Sequence, residues 1–222
     1  MLLSTFALRN HMKIIIIMNA KDKNELQEVF TFFGKGHFSE KAGKWVPSTT
    51  PQQIVDIAWC GQYIISERAK WQTDELRRIM STASDQELRD FKLREFDAVA
   101  GAGTFSYGNA KGIINRSRYI VLDIDDLNST EEARDIQQRL IKDKNVETAL
   151  SFISPKGKGV KWWVELPEWC IGLPFAEQYS ALSRYMGFEY GLQADSTGSN
   201  VNRLCFLPHD EKCFINPKYI QK

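Results

Sequence analysis

Tyr119-Ile-Val-Leu-Asp-Ile-Asp-Asp126 is the stretch on which the fold turns: an apolar run that ends in acid. Residues two apart on a β-strand share a face and lie roughly 6.5 Å apart. Asp123 and Asp125 therefore project side by side, and Ile124 turns to the core behind them. Asp126 points the other way and reads as a loop or helix-entry residue. Two carboxylates on one rigid strand repel unless a cation neutralises them, and hard divalent cations suit such a pair. Two readings stand at this point: a strand that runs into an acidic turn, or one half of a metal platform.

Downstream, Ser129 or Thr130 caps a helix with Glu131 and Glu132 in its first turn and Ala133, Ile136, Leu140 and Ile141 inward. Glu147–Ile153 is a second strand and Gly159–Leu166 a third, joined by a short basic turn. Pro174 opens another helix, with Phe175, Tyr179, Leu182 and Met186 on one side. A polar loop leads to a last strand, Arg203–Leu207. The order is β-α-β-β-α-β, a ferredoxin-like unit in which the first and third strands are neighbours at the sheet centre. The last strand belongs to the same sheet.

Upstream, Met12–Met18 reads as a buried strand, too short to span a bilayer. Asn24–Phe33 carries Leu26, Val29, Phe30 and Phe33 at helical spacing. Thr50-Pro-Gln-Gln53 reads as a helix start, and Thr73 and Ser84 as further N-caps, the last with Glu87 three residues on. The region to Phe96 is thus expected to be mainly helical, with its mixed charges on a solvated face. The fold class is α+β: an N-terminal, mainly helical α/β half over 1–105 and a ferredoxin-like half over 106–222, together one unit.

The chain has 222 residues and a formal net charge of +1, so bulk charge gives no nucleic-acid footprint and any such binding needs local basic patches. Cys60, Cys170, Cys205 and Cys213 form no C-x-x-C and read as reduced thiols of a cytoplasmic protein, with no membrane partner. Cys205, His209 and Cys213, with Cys170, fit zinc spacing poorly, so zinc is not favoured.

Ser154-Pro-Lys-Gly-Lys-Gly-Val-Lys161 places a hydroxyl, two glycines and three ammonium groups in eight residues. Such a turn can present N–H groups and cations to phosphate; it can equally be an ordinary hairpin with solvated lysines. Asp195, in Gln193-Ala-Asp-Ser-Thr-Gly-Ser-Asn200, is either a turn former or a third carboxylate ligand. Arg203 is either half of a surface salt bridge or a phosphate clamp. Trp162 and Trp163 are adjacent on a strand and must face opposite ways; core packing on both faces is the safer reading, base stacking by one the other.

The ordered set Asp123-Ile-Asp125, Ser154-x-x-Gly-x-Gly-x-Lys161, Asp195 and Arg203-Leu-Cys-Phe-Leu-Pro208 resembles the archaeo-eukaryotic primase (primase-polymerase) superfamily. More closely, it looks like the primase-like N-terminal domain of virulence-associated E-type proteins of mobile elements, which Phe91-Lys92 and Gly103-Thr104-Phe105 also resemble. The resemblance implies an RRM-like catalytic half and template-directed nucleotidyl transfer with two divalent ions, Mg²⁺ or Mn²⁺, in mobile-element or phage replication. It implies that Asp123, Asp125 and Asp195 are the catalytic metal ligands. Ser154, Gly157, Gly159, Lys161 and Arg203 would bind the nucleotide. Many members carry His where this chain has Lys161, which keeps a cation for phosphate but loses the imidazole. Implied partners are nucleoside triphosphates, a single-stranded or primed DNA template, and a helicase segment or protein. Two rival expectations remain: a non-catalytic RRM-like module for single-stranded nucleic acid, and a metal-dependent nuclease or phosphohydrolase using the same carboxylates.

Overall fold

The computed structural model describes residues 26–220. The expected strand Met12–Met18 and the first residues of the helix expected from Asn24 lie outside them. In chain order the N-terminal elements are β1 (Val29–Phe32), β2 (His37–Ser39), β3 (Lys44–Val46), β4 (Gln53–Asp56), α1 (Ile57–Ile65), α2 (Lys70–Ile79), α3 (Asp85–Glu95), β5 (Ala98–Ala100) and β6 (Gly103–Phe105). Then follow β7 (Ile113–Arg116), β8 (Tyr119–Ile124), α4 (Thr130–Ile141), β9 (Thr148–Ile153), β10 (Val160–Glu165), α5 (Phe175–Tyr190), β11 (Cys205–Phe206) and β12 (Phe214–Ile215).

Two four-stranded antiparallel sheets carry the fold, in the orders β11-β5-β1-β4 and β12-β9-β10-β8. The alternation of β8 explains their stacking. Ile120, Leu122 and Ile124 pack with Trp162, with Ile136 and Leu140 of α4, and with Tyr179, Leu182 and Met186 of α5. Tyr119 and Val121 face the other way, into a core shared with Phe30 of β1, Ile57 and Ile64 of α1, and Trp163. Both tryptophans are fully buried, one on each face of the second sheet. The result is a helix layer, a sheet, and then the first sheet with α1. Residues from both ends of the chain fill that second core. Residues 105 and 106, the expected boundary, fall in the β6–β7 hairpin.

Several expected elements differ. Val29–Phe32 is a strand. Phe30 enters the inter-sheet core, while Phe33 joins a separate cluster with Ala100 and Phe105. A strand segment buried on both faces reads as a continuous apolar run, which helical spacing can mimic. Thr50-Pro-Gln-Gln53 leads into β4, which pairs with β1, and the helix begins at Ile57 behind Asp56, whose carboxylate caps Trp59 N–H at 2.8 Å. The N-terminal region thus carries a sheet beside its helices. Thr73 lies within α2, where its hydroxyl donates to Ala69 O (2.7 Å) and accepts from His209 N–H (2.9 Å). Ser84 and Glu87 do form a capping box at the start of α3, a motif in which the cap itself stabilises by about 1 kcal/mol. Ser129 caps α4, and Gly191 ends α5 in the left-handed region at φ 68°.

The β8–β10 neighbour relation is present, with Asp123 opposite Lys161. However, β8 is an edge strand, not central, and the last strand, β11, has left for the first sheet, where it pairs with β5. The remaining edge of the second sheet is filled by β12 against β9. Asp210 locks this C-terminal segment down. It is buried, forms a two-pronged ion pair with Arg134 of α4, and accepts Ile153 N–H at 2.8 Å. No described helix is long and apolar enough to cross a membrane.

Candidate metal centre

Asp123 is the last residue of β8 to face between the sheets, at the point where the inter-sheet core gives out. Asp125 follows just beyond the strand, and Asp126 turns the chain with a left-handed φ of 59°, a conformation that Asp tolerates better than most residues. Asp195 arrives from the loop after α5. Its N–H donates to Asp123 O at 2.8 Å, and its carboxylate caps the short helical turn Ser196–Ser199, taking Thr197 N–H at 3.0 Å and the Thr197 hydroxyl at 2.6 Å. These anchors bring one oxygen from each of Asp123, Asp125 and Asp195 within 4.8 Å of one another. Asp123 Oδ1 is buried with no hydrogen-bond partner. An all-oxygen donor set with an orphaned buried carboxylate oxygen suits a hard divalent cation such as Mg²⁺ or Mn²⁺, so the three residues could hold a metal ion.

Cations already surround these acids. Lys161, on β10 directly opposite Asp123, forms an ion pair with it and lies 3.9 Å from Asp125 Oδ1. Arg203 Nη2 lies 3.0 Å from Asp195 Oδ2. Burial pushes the Lys161 pKa below the ordinary lysine range, and the charges of Lys92 and Arg203 add to this. Burial also raises the Asp125 pKa; Lys92 opposes that rise and Asp195 adds to it. For Asp195 burial works upward too, but the Thr197 bonds with Arg203 and Lys161 outweigh it and hold the carboxyl below its usual range.

Asp123 and Asp125 line a cleft of about 920 Å³ whose walls include Arg89, Lys92, Lys156, Lys158, Lys161 and Arg203; Asp195 lines an adjoining smaller pocket that shares Asp123, Lys161 and Arg203 with it. Ser154 also lines the larger cleft. The glycines of the basic turn do different work. Gly157 sits at φ +80°, and its N–H is bonded to Ser154 O at 2.8 Å. Gly159 passes so close to β8 that a Cβ there would stand 2.4 Å from Ile124 O and 3.0 Å from Asp125 Oδ1. The turn is gripped from behind by Arg77 of α2, whose Nε donates to Pro155 O at 3.2 Å. So Ser154, Lys161, Arg203, Asp123 and Asp125 meet at the cleft, with Asp195 clustered against the last two, while neither Gly157 nor Gly159 lines it.

Sequence reasoning missed Arg77, Arg89 and Lys92. The mixed charges before Phe96 suggested a solvated face, but Lys92 is one turn beyond Leu88, which packs inward, and it turns into the cleft. Its one visible signal was its place beside Phe91 in the upstream resemblance. Among the zinc candidates, Cys170 packs in the helix-side core and Cys205 and Cys213 in the inter-sheet core, on opposite faces of the second sheet.

A family model described as BT4734-like, N-terminal domain matches residues 92–214, more than half of the 222-residue chain. The chain belongs to the BT4734-like N-terminal domain family. The matched span opens at Lys92 and takes in Asp123, Asp125, Ser154, Lys161, Asp195 and Arg203, so the family region of the chain contains the whole carboxylate cluster and the cations paired to it. No curated protein and no solved structure matches the chain significantly.

Proposed function

We propose that this BT4734-like domain is a template-directed nucleotidyltransferase of the primase-polymerase type. The observation that carries the reading is the convergence of Asp123, Asp125 and Asp195, the first two of them on the wall of a cleft rich in lysine and arginine. A polyanionic substrate needs the cations and a phosphoryl-transfer centre needs the acids. The RRM-like reading of the second sheet draws support from the β8-β10-β9 order, in which the first and third strands of the β-α-β-β-α-β unit are neighbours. The departure of β11 is a variation on that plan.

Asp123, Asp125 and Asp195 would hold the divalent metal. When bound, such a metal supplies charge neutralisation at phosphate and a lowered pKa for an attacking 3′-hydroxyl. The chain's own residues do the positioning. Lys161 and Arg203 flank the acids and offer ammonium and guanidinium donors to the triphosphate. Ser154 adds a hydroxyl beside them. Lys156 and Lys158, on the basic turn at the cleft wall, offer further charge to template or nucleotide phosphate. The aromatics that an RRM-type binder presents on its central strands are here buried or replaced by acid, which favours catalysis over simple strand binding.

Primer-extension and de novo synthesis assays, run with Mg²⁺ and Mn²⁺ and with both ribo- and deoxyribonucleotides, test the reading. Wild type should incorporate nucleotide, and the double variant Asp123→Asn, Asp125→Asn should lose incorporation while keeping its circular dichroism and cooperative melting. Incorporation by the double variant at the wild-type rate would refute the assignment.

A further inference from the structure

Three cations converge on the carboxylate cluster, and they differ in one respect. Lys161 is paired to Asp123 and Arg203 to Asp195. Lys92 has no ion-pair partner among the described residues, although it is only partly exposed. It comes from α3 and lines the same cleft as the β9–β10 turn, and its ammonium stands 5.9 Å from the centre of the Phe206 ring. Burial and the charges of Lys156, Arg203 and Arg89 oppose its charge, and Asp125 favours it.

Gathering like charges in a half-buried site is unfavourable unless an anion joins them. The Phe206 ring holds the stem and helps to tolerate the cation. It does not satisfy the three N–H donors of an ammonium, and Lys92 lines the cleft. The ligand that completes this arrangement must be anionic. It must also lie close to the acids, because Lys92 acts electrostatically on Asp125 and Lys161 rather than on a remote surface. The phosphates of a nucleotide whose reacting end sits at the carboxylates satisfy both conditions, whereas a template strand would track the outer, exposed lysines such as Lys158.

We infer that Lys92 is a positioning residue that binds the outer phosphates of a nucleoside triphosphate, so that the N-terminal part of the chain contributes a substrate contact that the acid-bearing sheet does not supply. The inference rests on the nucleotidyltransferase reading above.

Titration calorimetry with Mg²⁺ present, using a nucleoside triphosphate, the matching monophosphate and a single-stranded oligonucleotide as separate probes, tests it. Lys92→Ala should weaken triphosphate binding by about tenfold or more, the scale of one lost charge-assisted hydrogen bond. Monophosphate and oligonucleotide binding should stay near wild type, and Lys92→Arg should restore most of the triphosphate affinity. The melting midpoint of Lys92→Ala should not fall, since a repelled cation is removed; Lys92→Met, which keeps the stem over Phe206, decides the matter if the alanine variant folds poorly. Equal weakening of triphosphate and monophosphate, loss confined to the oligonucleotide, or an unchanged triphosphate affinity would each overturn the inference while leaving the nucleotidyltransferase reading in place. A wild-type protein that binds no triphosphate in the presence of metal overturns both.

Discussion

Lys161 and Asp123 are cross-strand partners on β10 and β8, and the ammonium of one is ion-paired to the carboxylate of the other. The lysine thus sits where Asp123 would otherwise face two more carboxylates unneutralised. It is an internal counter-ion for the cluster, with Asp125 Oδ1 also 3.9 Å away.

Removing that counter-ion should have opposite effects on two ligands. In Lys161→Ala, the acids lose their cation, so Mn²⁺ titrated in the absence of nucleotide should bind several-fold more tightly. Nucleoside triphosphate binding should weaken by about tenfold if, as proposed, the ammonium is a charged donor to phosphate. Calorimetry with each ligand separately checks both; metal and nucleotide affinities that both match wild type would show that Lys161 serves neither.

Gly159 should tolerate no side chain. A Cβ there would overlap Ile124 O at 2.4 Å, a backbone atom that cannot swing aside, so β10 or the end of β8 must move. Gly159→Ala should lower stability by about 1–3 kcal/mol, the usual scale of overpacking, and weaken Mn²⁺ binding by displacing Asp125. Gly172→Ala, where nothing lies within 4 Å, is the matched control and should leave both unchanged. Denaturant melts and metal titration of the two variants side by side provide the comparison.

Asp143 makes acid stability testable away from the site. Burial raises its pKa, but the hydroxyls of Tyr190 and Tyr185 and the N–H groups of Asn145 and Val146 (2.7 and 2.8 Å) outweigh this and hold it below the ordinary range. A carboxyl depressed in the folded state stabilises above its unfolded pKa of about 3.9, and that contribution fades as pH falls through the folded value. Asp143→Asn should therefore be less stable than wild type at neutral pH, with the gap narrowing below about pH 4. A gap that stays constant from pH 7 to pH 3 in urea melts would contradict the sign.

The carboxylate platform was legible because its signal is local. Asp123 and Asp125 share a face by strand geometry alone, and the β-α-β-β-α run announces itself through caps and periodicity. The joining of Asp195 to them was legible only as an ordered motif; its placement depends on a backbone bond to Asp123 O that no local pattern encodes.

By itself, then, the sequence determined the acidic strand, the basic turn, the helices flanking them and the burial of Trp162 and Trp163 on opposite faces. Tertiary structure alone decided the rest. It made Val29–Phe32 a strand, because pairing with β4 and β5 supplies hydrogen bonds that helical spacing cannot outweigh. It moved β11 into the first sheet and left β8 at an edge. It also turned Lys92 from a helix-surface charge into a wall of the cleft. Each of these rests on contacts between residues far apart in the chain, and long-range pairing overrides local propensity wherever a shared core buries more apolar surface than the local alternative.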